Sequence, residues 1–388
     1  MGALKNKWMP RRAVFGVMLS ALVFSACDRA VRKPDVEESF SILTPPSSLT
    51  PRINGAKIFG VRPGAPFLFQ IAATGDRPMA FSATDLPANL SLDQESGQIT
   101  GTFTAAGHYP VTLGAANALG TAERLLEIVC GDEIALTPPM GWNSWNCWGG
   151  KITQEKILAA GHALVTSGLR DHGWTYVNID DGWQGQRGGE FNAIQPNARF
   201  PDMNALADEI HSLGLKFGIY STPWKTSFLG HVGSSADFAD GSNEWLRAGI
   251  HDEFFKYRFQ QFHSPLDSYA WLRPLARRVQ EDERQKITRK LRGFGKFSFV
   301  RADVAQWEKW NVDYLKYDWT PIDAAHAQEM QQALRSSARD IVYSVANNAS
   351  PSLAPQISTF ANAWRTSGDV KDNWASVSRT GFTRDRWA

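Results

Sequence analysis

The chain has 388 residues, 43% hydrophobic and 21% charged, which is room for two or three domains of ordinary globular balance. Its formal net charge of +2 argues against a dedicated binder of nucleic acid or other polyanions. Fifteen tryptophans are many for this length; an indole face can stack on a sugar ring or simply pack a core, and composition leaves both uses open. No zinc, haem or phosphate-loop signature is present, so neither cofactor nor metal is expected.

The N-terminus carries Lys5, Lys7, Arg11 and Arg12, followed by an apolar or small-residue run from Ala13 to Ala26. That run has the length of a signal-peptide core and is too short to span a membrane as a mature helix. It ends in Phe24-Ser25-Ala26-Cys27, which resembles a bacterial lipoprotein signal whose Cys becomes the acylated first residue. A simple cleaved signal and, from Arg11-Arg12, a twin-arginine signal are the alternatives. All three export the protein to the periplasm or cell surface, with membrane contact only through a lipid on Cys27. Residues 1–27 are thus read as a leader. Residues 28–51, rich in Pro, Ser and charge, are read as a linker. Cys130 and Cys147 could pair in an oxidising compartment or stay as free thiols. Oligomeric state is not legible.

From 52 to 131 short β-type runs alternate with turn residues. Phe67–Ile71, Met79–Ala83, Gln98–Gly101, Tyr109–Leu113 and Arg124–Val129 read as strands of a small all-β sandwich. Leu86-Pro87-Ala88-Asn89-Leu90-Ser91-Leu92-Asp93 with Gly97-Gln98-Ile99-Thr100-Gly101 resembles the Ig-like domains appended to bacterial enzymes. With no aromatic cluster to mark a binding face, a spacer role is expected.

From 132 to 388 strand and helix patterns alternate, the mark of an α/β parallel architecture. A first strand is predicted to end in Met140-Gly141-Trp142-Asn143-Ser144-Trp145; further strands are predicted at Thr175–Asp181, Lys216–Tyr220, Val312–Asp318 and Ile341–Val345, and a sixth leads into Trp364-Arg365 and reaches Asp369. Helices are predicted near 153–170, 203–213 and 324–338. Polar and aromatic residues crowd the strand C-terminal ends, which is the catalytic face of a (β/α)₈ TIM-type barrel. Residues 225–300 interrupt the pattern; the charged part from Arg273 to Arg292 reads as a solvated helix, with a lid over the cleft as the alternative.

Within Tyr314-Leu315-Lys316-Tyr317-Asp318, strand periodicity places Lys316 and Asp318 on one side. A cation beside a carboxylate favours its ionised form, as a nucleophile requires, although a structural ion pair is an equal reading. Asp369 is the candidate second carboxylate. Proximity to ionised Asp318 would raise its pKa, whereas Arg365 would lower it. Adjacent Asp180 and Asp181 suit bidentate binding of neighbouring hydroxyls better than a metal, since no third acid lies nearby in sequence.

Four motifs in order, Pro138-Pro139-Met140-Gly141-Trp142-Asn143-Ser144-Trp145, Asn178-Ile179-Asp180-Asp181-Gly182-Trp183, Tyr314–Asp318 and Trp364-Arg365 with Asp369, resemble glycoside hydrolase family 27, the α-galactosidase type. The resemblance implies a retaining glycosidase acting on a carbohydrate, with Asp318 as nucleophile and Asp369 as general acid/base. It also implies Trp145 against the sugar ring, Asp180 and Asp181 on its 4- and 6-hydroxyls, and Tyr220, Lys316 and Arg365 as further contacts. The loop Ala346-Asn347-Asn348-Ala349-Ser350 departs from the family patterns that read the 2-substituent. It leaves α-N-acetylgalactosaminidase and β-L-arabinopyranosidase activity as alternatives. The sequence stops at Ala388, just after the sixth strand, where family members continue. The expectation is therefore an incomplete barrel with weak or no activity. A glycan-binding surface lipoprotein is the rival reading, and adhesion through the β-sandwich a third.

Overall fold

A computed structural model describes residues 47–244, 291–347 and 349–382. The leader, most of the linker and the greater part of the predicted charged helix lie outside these residues. No described helix is long and apolar enough to cross a membrane.

The N-terminal part holds nine strands: β1 Arg52–Ile53, β2 Ile58–Val61, β3 Pro66–Gln70, β4 Ala73–Thr74, β5 Ala80–Thr84, β6 Leu90–Leu92, β7 Gln98–Thr102, β8 Gly107–Asn117 and β9 Gly120–Cys130. They form a four-stranded sheet β2-β9-β8-β5, a three-stranded sheet β3-β7-β6 and a β1-β4 pair. Alternation drives this. Along β8 and β9, Val111, Leu113, Leu126 and Ile128 point inward, and they meet Phe67, Phe69 and Ile99 of the facing sheet in one core. Four strands go beyond those predicted: β1, β2, β4 and β6. They are short, and their few apolar residues give no long alternation to read.

This sandwich is docked on the second domain. Arg62 donates from its backbone N–H and Nε to Asp340, and from its guanidinium to the carbonyls of Arg335, Ser337 and Arg339. Arg77 pairs with Asp171 at 2.8 Å, and Gln98 donates to the Ser212 carbonyl. Lys216 lies over the Phe59 ring at 5.5 Å. These contacts meet the strand starts, the face of the barrel away from its C-terminal strand ends.

The second domain contains β10 Gly141–Asn143, β11 Tyr176–Asn178, a hairpin of β12 Gln184–Gly188 and β13 Ala193–Pro196, β14 Lys216–Ser221, β15 Ser235–Ala236, β16 Phe297–Ser298, β17 Tyr314–Asp318, β18 Val342–Ala346 and β19 Ala363–Trp364. Six of these form one parallel sheet in the order β10-β11-β14-β17-β18-β19, a half-barrel in sequence order. Helices cover it at Gln154–Thr166, Met203–Ser212, Val300–Lys309 and Ala324–Ser336. Three begin at side-chain caps: Thr153 accepts from Lys156, Asp202 from Ala205 and Asp323 from His326. Their apolar stripes, such as Met203, Leu206, Ala207 and Ile210, bury against Val177, Phe217, Ile219 and Leu315 of the strands.

Strand two is shorter than predicted. Beyond Asn178, side chains take over from the ladder: Asp180 N–H donates to Ser144 Oγ and Asp181 N–H to Asp180 Oδ1. The chain turns at Gly182, with φ +120°; a Cβ there would stand 3.2 Å from the Gly150 backbone. Glycine at this point lets the two carboxylates leave the sheet.

Candidate active site

The half-barrel delivers the site one strand at a time. Register pairs Asn143 with Asn178, Tyr220 with Lys316, and Asp318 with Ala346. The residues just beyond or at these positions therefore share the C-terminal rim. Arg365 follows β19, where its N–H joins the Val345 carbonyl. The loop after β10 meets the segment after β19, since Asn146 donates to the Val370 carbonyl at 3.4 Å.

At the centre lies Asp318, 7% exposed. Burial pushes its carboxyl up to about 6, against the pull of the Lys316 charge and with a further push from Asp180; Arg365 pulls down and Asp181 pushes up more weakly. Lys316 is not its ion-pair partner. The ammonium reaches across the Tyr220 ring, 5.2 Å from its centroid, to Asp180 Oδ2 at 2.7 Å. The ion-pair reading for Lys316 and Asp318 is thus corrected, while the cation still acts on Asp318 through space, as strand periodicity suggested, and burial outweighs it. For Lys316 itself burial works against the charged form, but Asp180 and Asp318 prevail and hold its pKa above the usual lysine value.

Asp181 is buried, and burial raises its carboxyl; the His231 charge, the Ser227 hydroxyl and the Leu229 N–H oppose this. Leu229 N–H donates to Oδ2 at 2.8 Å. Its Oδ1 is buried with no hydrogen-bond partner among the described residues, an acceptor that a hydroxyl would suit.

Asp369 lies on the exposed side of the rim, its side chain 60% exposed and paired with Arg365 at 2.9 Å. Arg365 thus joins the two carboxylates: it binds one and lowers the pKa of the other. Trp145 stands half-buried at the start of a short helix, Trp145–Trp148, with its N–H on Asn143 Oδ1.

Sequence reasoning placed Asn347 only in the loop expected to read the 2-substituent and missed its contact with Asp318. Its amide donates to Asp318 Oδ1 at 2.9 Å. It also missed Ser144, Ser227, Leu229 and His231, which hold Asp180 and Asp181 from loops. A polar residue directly after a barrel strand was the available signal for Asn347; no local pattern marks the others. Cys130 is buried and Cys147 exposed, and both are free thiols, which decides between the two readings left open. Among the described residues no cluster of three His, Cys, Asp or Glu side chains could hold a metal ion.

A parallel half-barrel with carboxylates and cations gathered at its C-terminal strand ends has the layout of β/α-barrel enzymes. The family described as Alpha galactosidase A (Melibiase_2) matches residues 137–245 and 253–384, and the chain belongs to it. The He_PIG family of Ig domains matches residues 50–130. An alpha-galactosidase 2 of Arabidopsis thaliana is 28% identical over 261 residues, covering 66% of this chain and 50% of its own length. An alpha-galactosidase A of Cellvibrio japonicus is 26% identical over 248 residues, covering 63% of this chain and 46% of its own. A Bacteroides fragilis protein provisionally assigned as an α-galactosidase has a solved structure with TM-score 0.63 and 35% identity, covering 84% of this chain and 58% of its own. The chain spans about half the length of the curated relatives it matches.

Proposed function

We propose that this chain carries the catalytic site of a retaining glycoside hydrolase that removes terminal α-galactosyl residues. The observation that supports this best is the buried Asp318 carboxylate at the barrel rim, flanked by the Lys316–Asp180 pair and by Arg365. The names of the relatives support the sugar. In this reading Asp369, in reach of solvent and leaving group, protonates the glycosidic oxygen while Asp318 attacks the anomeric carbon. The carbon–oxygen bond to the aglycone breaks, and a covalent glycosyl ester forms on Asp318. Asp369 then takes a proton from water as the water oxygen attacks the anomeric carbon; the ester bond to Asp318 breaks, and the free sugar leaves with Asp318 ionised and Asp369 protonated again. Asp180 and Asp181 grip ring hydroxyls, Trp145 packs on the ring, and Tyr220, Lys316 and Arg365 complete the contacts.

The domain assignment belongs to the same proposal: a leader over 1–27, a linker over 28–51, the Ig-like sandwich over 52–131 and the catalytic half over 132–388. Export, with a lipid on Cys27, rests on the basic, apolar and Cys27 pattern alone.

Side-by-side rates on chromogenic α-galactoside, α-N-acetylgalactosaminide and β-L-arabinopyranoside test the substrate. The α-galactoside is expected to give the highest kcat/KM; a preference for either other sugar would overturn the substrate while keeping the mechanism. The pH dependence tests the nucleophile. Attack needs ionised Asp318, and its carboxyl sits near 6. The acid limb of log kcat/KM should therefore break near pH 6 and fall about tenfold per unit below it. A limb that continues flat to pH 4 would contradict this assignment.

A further inference from the structure

We infer that Asn347 is a positioning residue, whose side-chain amide holds the Asp318 carboxylate aimed at the rim and favours its ionised form. This rests on the reading of Asp318 as nucleophile. Asp318 ends β17 and is in register with Ala346, the last residue of β18, so Asn347 is the next residue on the adjoining strand. From there its Nδ2 reaches Asp318 Oδ1 at 2.9 Å. The backbone of Asn347 has φ +84°, a left-handed conformation that Asn tolerates better than other non-glycine residues. Such outliers concentrate where the chain must aim a side chain. Here the turn ends β18 and points the amide back at its neighbour.

The other groups around Asp318 are committed elsewhere. Lys316, on its own strand, is bonded to Asp180 from the segment just after β11. Arg365, after β19, is bonded to Asp369. Asp181, in the segment after β11, and the Tyr220 phenol of β14 present no positive charge to it. Asn347 therefore supplies the side-chain hydrogen bond to this carboxylate among the described residues. Its contribution is local and geometric, whereas the two cations act through space. A donor on the ionised form lowers the carboxyl pKa, in opposition to burial.

The test is a carbon-13 titration of the Asp318 carboxyl in the full chain, in N347G and in N347D, with kcat/KM against pH alongside. Glycine removes the amide and accepts the left-handed backbone, so a lost hydrogen bond is not confused with strain. In N347G the Asp318 midpoint is expected to rise by roughly one to two pH units, the size of a hydrogen bond to a charged group. Below that midpoint kcat/KM should fall by about ten- to a hundred-fold. In N347D an acceptor replaces the donor, and the midpoint should rise further. An unchanged midpoint in either folded variant would overturn the role. If the parent chain hydrolyses none of the glycosides, the proposed activity fails, and the titration still decides Asn347 by itself.

Discussion

Asp318→Asn is expected to lower kcat for α-galactoside hydrolysis by about 10⁴-fold or more, the scale of losing a nucleophile. The substitution keeps the shape of the side chain and leaves an oxygen to accept from Asn347, so KM should change little. Stability should move the other way. The Asp318 carboxyl is raised from 3.8 to about 6 by folding. Such a group contributes stability that is fully present below the unfolded value and is lost as pH rises through 6. At pH 7 the folded protein therefore carries a buried charge it resists, and the neutral amide relieves it by about 1–3 kcal/mol. Thermal melts at pH 7 and pH 4 check this: the variant should gain on the parent at pH 7 and not at pH 4. Activity retained at the parent level would remove Asp318 from the mechanism.

The largest effect on stability is expected at the buried pair Arg187–Asp303, whose side chains are 3% and 0% exposed. Arg187 on β12 donates to both Asp303 oxygens, at 2.6 and 3.2 Å, and to the Asn192 and Gly233 carbonyls. Its guanidinium also covers the Phe299 ring at 4.5 Å. Asp303 accepts in addition from the Ile194 N–H of β13. One ion pair thus ties the β12–β13 hairpin, the loop before β15 and the helix Val300–Lys309. Removing one partner leaves a buried charge uncompensated, so Asp303→Ala should cost about 3–5 kcal/mol. Replacing both residues by apolar side chains of similar volume should cost much less. Urea melts of the single and double variants distinguish this from a surface pair, for which both changes would stay within about 1 kcal/mol.

These two residues also show where sequence reading succeeds and stops. The place of Asp318 at the end of a barrel strand was legible because a clear strand pattern leads up to it. The hairpin that Arg187 anchors was not. Its Gln-Gly-Gln-Arg-Gly-Gly-Glu stretch, 184–190, has no apolar alternation, and what holds it is an ion pair spanning 116 positions of sequence. The same distance effect hid the direct partner of Lys316. Its nearest carboxylate along the chain is Asp318, two residues away, yet the strand order brings Asp180 under its ammonium. Asp180 and Asp181 were recognisable as a pair, but the loops that hold them, from Ser144 and from Leu229, follow only from the fold. The docking of the sandwich was equally hidden. Arg62 and Asp340 are unremarkable in their own segments and acquire meaning when the two domains meet.

The atom to which the sugar becomes attached decides the mechanism. The direct measurement is mass spectrometry after reaction of the chain with a 2-deoxy-2,2-difluoro α-galactosyl donor bearing a highly activated leaving group, which slows release of the covalent intermediate. One difluorogalactosyl mass on the intact chain, mapped by peptide fragmentation to Asp318, is the result expected. An adduct on another carboxylate, or turnover of α-galactoside with no adduct at all, would contradict the assignment of Asp318 as nucleophile.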